Sequence, residues 1–136
     1  MPYNPVILLF DNELANKSKP LSAFVSYINL TPSNKKKFKG DHWIKIVENG
    51  NLYLTTNQLV SGEAECEIED LFDEETRSHV IGGKTFSPND KADKEKHYGK
   101  EIFANYIQSN YKSINFENFK PMLNNIIKVI TDYSGS

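Results

Sequence analysis

Cysteine is almost missing from this chain of 136 residues. Cys66 stands alone, which excludes an intramolecular disulfide and any zinc site built from clustered thiolates. Arginine is as scarce: fifteen of the sixteen cationic side chains are lysine and Arg77 is the exception. Few bidentate contacts to phosphate or guanine are therefore available, and sequence-specific reading of a major groove is not expected. No apolar run reaches the length of a membrane span. No basic segment followed by an apolar stretch opens the chain, so a secretory signal is not expected either. The sequons at Asn16 and Asn29 carry little meaning in the cytosolic protein that these absences predict. What remains is 38% hydrophobic, 25% charged and near neutral, with a formal charge of −2. That is the composition of one globular domain with a sizeable core, in which any nucleic-acid contact must be local.

The apolar run Pro5–Phe10 stops abruptly at Asp11. Its length and lack of polar alternation predict a strand buried on both faces, as in a parallel α/β sheet, with a short buried helix as the other reading. A helix is expected over Leu21–Asn29, followed by a polar connection, Pro32–Gly40, that holds Lys35, Lys36, Lys37 and Lys39. His42–Val47 and Asn51–Thr56 read as a hairpin joined through Glu48-Asn49-Gly50, because Asn-Gly tolerates positive φ. Alternatively the first run is a short edge strand and the second a buried one. Glu63–Glu75 carries eight acids and no base, and Ile68, Leu71 and Phe72 place one apolar stripe on a short helix within it. Gly82-Gly83 and Ser87–Asp90 mark loops. A helix is expected over Lys94–Ser109, with Ile102, Phe103, Tyr106 and Ile107 on one face. After a turn at Asn115–Lys120, Pro121 suits the first position of a last helix that buries Leu123, Ile126, Ile127 and Ile130. Only the tail Tyr133–Ser136 reads as flexible.

The most informative chemistry is Leu9-Phe10-Asp11-Asn12-Glu13. Two acids lie at the C-terminal end of a buried parallel strand, the edge where open α/β sheets bind ligands. Hard divalent cations take such carboxylates together with water and phosphate. The competing reading is a solvated turn capped by Asp11 or Asn12. Glu67 and Glu69 follow a strand expected beside the first, so they are candidates for the same metal, although acids are also favoured in the first turn of any helix. Lys84, after two glycines, and Lys100, after one, follow backbone that can approach a substrate, and either could stabilise charge on a phosphoryl group. Each is also an ordinary surface lysine. His97, near Tyr98 and Lys100, is the one histidine to test as an acid–base group. Gly82-Gly83-Lys84-Thr85 lacks the spacing of a P-loop, no G-x-S-x-G is present, and acids around Cys66 make it a poor nucleophile.

Taken in order, Pro5–Glu13, Asn51-Leu-Tyr-Leu54, Ile68-Glu-Asp-Leu-Phe72, Gly83-Lys-Thr-Phe86, Tyr98–Ala104 and Ile114–Pro121 resemble the C-terminal Toprim-type region of bacterial retron reverse transcriptases. The resemblance covers nearly the whole chain. It implies an α/β, Toprim-like domain over residues 1–136: a mostly parallel sheet flanked by helices in 1–93, then a helical C-terminal segment in 94–133. In that family a D-x-D pair follows one strand. Asp11 and Glu13 match it with glutamate in the second place, and Glu67 and Glu69 resemble the further acids of nuclease members. Lys84 or Lys100 would be the late lysine of those nucleases. The strand with the family's signature glutamate would precede Pro5. The resemblance thus implies the C-terminal part of a longer protein, a piece that completes a partner's site, or a remnant. No Tyr-x-Asp-Asp is present, so DNA polymerisation by this chain is not expected.

The function implied is a nuclease effector of a retron reverse transcriptase in anti-phage defence. Asp11, Glu13 and Glu69 would hold Mg²⁺ or Mn²⁺, with Glu67 as an alternative ligand, for hydrolysis of DNA or RNA phosphodiesters. The other function class is a non-catalytic module that docks on the reverse transcriptase or its nucleic-acid product through Lys35–Lys39 and the Lys94–Lys100 segment.

Overall fold

The computed structural model describes residues 4–60 and 62–135. The chain is mixed α/β with small sheets, and its contacts divide it into two compact units. One runs to Ile68 and resumes at Phe119; the other is Glu69–Asn118.

The first unit is built on three strands, β1 (Val6–Phe10), β2 (Trp43–Lys45) and β3 (Leu52–Thr56), in the order β1-β3-β2. β1 lies parallel to β3, with Val6 opposite Leu52 and Phe10 opposite Thr56. β2 runs antiparallel to β3, so the sheet is mixed. On one face Leu54 and Ile44 bury against Leu21 and Val25 of α1 (Pro20–Ile28) and Phe38 of α2 (Pro32–Asp41), with Leu8 and Phe10 partly buried around them. α5 (Lys120–Gly135) packs against β3 and β2. Tyr53 on β3 donates its hydroxyl hydrogen bond to Asp132 at 2.6 Å and meets the Tyr133 ring edge-on.

Several expectations need correction. β1 is an edge strand and not buried on both faces: Val6 is 46% and Leu9 40% exposed. β3, flanked on both sides, takes the central place, with Tyr53 through Thr56 buried. The β2–β3 hairpin forms, yet its turn runs from Val47 to Gly50, whose N–H donates to Val47 O at 3.0 Å, and neither Asn49 nor Gly50 has positive φ. The lysine-rich stretch is no loop but helix α2. Thr31 caps it by accepting the Asn34 N–H at 3.1 Å, Pro32 supplies the pre-set φ of a first turn, and Phe38 anchors it in the core. α5 also turns a different face inward. Met122, Asn125 and Val129 are buried, whereas Leu123, Ile127 and Ile130 are about half exposed. Asn125 offsets the cost of its burial by donating to Asp41 O at 3.1 Å. Of the tail expected to be flexible, Tyr133–Gly135 belongs to α5; Ser136 lies outside the described residues.

The second unit holds α3 (Glu74–Arg77), the two-residue strands β4 (Thr85–Phe86) and β5 (His97–Tyr98), and α4 (Lys100–Ser109). The acidic stretch breaks into a 3-10 turn at Ile68–Leu71 and α3, where one short helix was expected; Asp73 caps α3 by accepting the Thr76 N–H at 2.9 Å. α4 starts at Lys100 rather than Lys94, because His97–Tyr98 pairs with β4 in parallel and Gly99 takes the cap position. Phe103 stacks on Phe86 at 4.1 Å and meets Phe72 edge-on, forming a small aromatic core.

His42 ends α2 in the left-handed region, with φ of 64°. Its N–H donates to Phe38 O and its carbonyl accepts the Thr56 N–H. Burial pushes its imidazole below the ordinary value of 6.5, against an opposing pull from Asp41. A base whose folded pKa is lowered binds its proton less tightly than the unfolded chain does, so stability is lost as pH falls from 6.5 through the folded value. Asn tolerates the same backbone conformation without titrating. His42→Asn is therefore expected to flatten the fall in urea midpoint between about pH 6.5 and 5; an unchanged slope would assign that fall to other groups.

Candidate metal centre

β1 ends at Phe10, and the next three residues leave the sheet in a tightly held path. Asn12 is 93% buried by its 7% relative exposure, a costly place for a polar side chain unless each of its groups is paired. Here three of those groups are paired. The Asn12 N–H donates to Asn57 Oδ1 at 3.1 Å, and Asn12 Nδ2 donates to Asn57 O at 2.8 Å. Asn57, at the end of β3 and fully buried, donates through Nδ2 to the carbonyls of Gln58 and Cys66. The Cys66 N–H closes the loop on Asn12 O at 2.7 Å. Two asparagines thus clamp the segment after β1 to the segment after β3 that carries the acids.

Asp11 sits half-buried just before that clamp, and its Oδ1 accepts the Ile68 N–H at 2.8 Å. The bond fixes the backbone between Glu67 and Glu69. One carboxylate oxygen from each of Asp11, Glu67 and Glu69 lies within 4.8 Å of the other two, so the three acids form a group able to hold a metal ion. Oxygen-only donors of this kind suit a hard divalent cation such as Mg²⁺ or Mn²⁺, with water completing the shell.

Glu13, expected in this set, falls outside the group of three. It is 93% buried by its 7% exposure, and its carboxylate pairs loosely with Lys19 at 3.9 Å. Burial pushes its pKa up, Lys19 pulls it down, and Glu67, Asp11 and Glu65 push it up further. Glu67, Asp11 and Glu65 thus lie close enough to Glu13 to disfavour its charge.

In the second unit Lys100 opens α4 and its Nζ lies 3.5 Å from Glu69 Oε1. Lys84 is half-buried in a two-residue hairpin: it exchanges backbone hydrogen bonds with Ile81 across Gly82 and Gly83, both at positive φ. Those glycines serve the turn, which needs φ above zero at both central positions. His97 shares a hydrogen bond with Thr85 Oγ1 through Nδ1 at 3.1 Å, spanning β4 and β5. Sequence reasoning missed Asn12 and Asn57. Asn57 is one of fifteen asparagines in the chain, and nothing local distinguishes it.

No family model matches the chain, and no curated protein or solved structure is significantly similar to it. Among the described residues, no helix is long and apolar enough to cross a membrane.

Proposed function

We propose that this chain carries a metal-dependent phosphodiesterase site of Toprim-like type, with Asp11, Glu67 and Glu69 holding the cation. The observation that carries the proposal is the meeting of three carboxylate oxygens within 4.8 Å at the C-terminal end of a strand parallel to its neighbour. Like charges brought that close repel one another, and a bound cation relieves the repulsion. A Mg²⁺ or Mn²⁺ ion there would supply Lewis-acid polarisation of a phosphoryl group and lower the pKa of water.

The chain's own residues do the positioning. Asp11 orients the Glu67–Glu69 backbone through the Ile68 N–H, and the Asn12–Asn57 clamp holds Asp11 in register with β3. Lys100, beside Glu69, is the cation best placed on this segment to balance charge that develops on a phosphoryl group. Lys84 and His97 are the further candidates for that role and for proton transfer. Glu13 serves instead as the internal counter-ion of Lys19. The resemblance extends the reading to a nuclease effector of a retron reverse transcriptase in anti-phage defence.

The direct test incubates the purified chain with end-labelled single-stranded DNA, duplex DNA and RNA, in Mn²⁺ or Mg²⁺ and in EDTA. Cleavage of at least one substrate that EDTA abolishes is expected. No cleavage of any substrate in either metal would overturn the proposal for this chain.

A further inference from the structure

Residues of α1, of α2 and of the segment before α1 line a groove of about 520 Å³ on the first unit. Lys17, Lys35 and Lys39 line it, together with Ser22 and Ser26, over an apolar floor at Val25. Among the described residues no carboxylate lines it, and none of the three lysines is within ion-pairing distance of an acid. Three like charges around one recess favour the approach of an anion.

We propose that this groove binds the sugar–phosphate backbone of a single-stranded nucleic acid. Lysines contact phosphates as point charges without demanding a base sequence, and serine hydroxyls add donors to the same oxygens. A recess between two helices suits a thin, flexible strand. Leu14 and Ala15 also line the groove. The choice of ligand rests on the phosphodiesterase reading; the groove itself does not.

The test is fluorescence anisotropy of 5′-labelled oligothymidine with the full chain in EDTA, where no metal-dependent chemistry contributes. Neutralising three phosphates gives a slope of log K against log [salt] of about −2, so affinity is expected to fall about twentyfold between 50 and 200 mM salt. Lys35→Glu/Lys39→Glu, both on the exposed side of α2, is expected to weaken binding at least about tenfold. Lys17→Glu, on a different segment, is expected to weaken it too. Lys112→Glu is expected to change nothing, and far-ultraviolet circular dichroism should be the same for all variants. Binding that is absent, or unchanged in the groove variants, would overturn the proposal. So would polyglutamate that competes as well as unlabelled oligothymidine. Loss of the groove with cleavage retained in Mn²⁺ would leave the phosphodiesterase reading standing. Groove binding without cleavage in any metal would remove that reading and keep the groove.

Discussion

Asp11→Asn is expected to lower metal-dependent cleavage by at least about a hundredfold, the scale seen when one preorganised electrostatic group is removed. The substitution separates two duties of the side chain. Asn keeps an oxygen where Asp11 Oδ1 accepts the Ile68 N–H, so the backbone between Glu67 and Glu69 stays in place. It removes the charge, and with it one of the three carboxylates able to hold a cation. Stability is therefore expected to hold or to rise slightly, since one member of a repelling set becomes neutral. Cleavage rates and thermal midpoints measured on the same preparations check this directly. Activity within a few fold of the unaltered chain would mean that the acids are not the reaction centre. A loss of activity that merely tracks a loss of folded protein would assign Asp11 a structural role alone.

The second large effect is expected at Asn57. Asn57→Ala removes the acceptor of the Asn12 N–H and the donor to the Gln58 and Cys66 carbonyls in one step. Asn57 is at 0% exposure, and Asn12 and Cys66 are buried beside it. Leaving such groups without partners costs about 2–3 kcal/mol. The clamp also aligns the segment that follows β1 with the segment carrying the acids. Affinity for Mn²⁺, corrected for the folded fraction, is therefore expected to fall about tenfold or more, as when outer-shell partners of metal ligands are removed. Urea denaturation with and without Mn²⁺ measures both quantities. Destabilisation with unchanged metal affinity would make Asn57 a packing residue and nothing else.

These residues also show how far the amino-acid order reveals the molecule. β1, α1 and the β2–β3 hairpin are legible because each rests on a local pattern: an uninterrupted apolar run, a short helical stretch after a loop, two short strands around a turn. α2 is not read, because its surface is lysine and polar residues and its tie to the core is one side chain, Phe38. The cap at Thr31-Pro32 was a signal that the lysine run obscured. α5 is read as a helix but with the wrong face inward. Counting apolar residues selects Leu123, Ile126, Ile127 and Ile130, whereas the helix seats Met122, Asn125 and Val129 and leaves Ile126 partly buried. The face is chosen by the surface it meets, and a buried asparagine is acceptable where Asp41 offers a carbonyl.

The acids follow the same division. Asp11 was legible from its place after a strand, and Glu67 and Glu69 from their spacing after the next. Glu13 pairs with Lys19 only six residues away, whereas the hold of Asn12 and Asn57 on the group depends on contacts across 45 residues of chain. Such partners have no local signature.

The most direct measurement of the central claim is calorimetric titration of Mn²⁺ into the purified chain, alongside Asp11→Asn and Glu67→Gln. Saturable binding that both substitutions weaken at least about tenfold is the predicted result, because each replaces a charged carboxylate ligand of a hard cation by a neutral amide. Saturable binding that neither substitution alters, or no saturable binding at all, would contradict a metal centre formed by these acids.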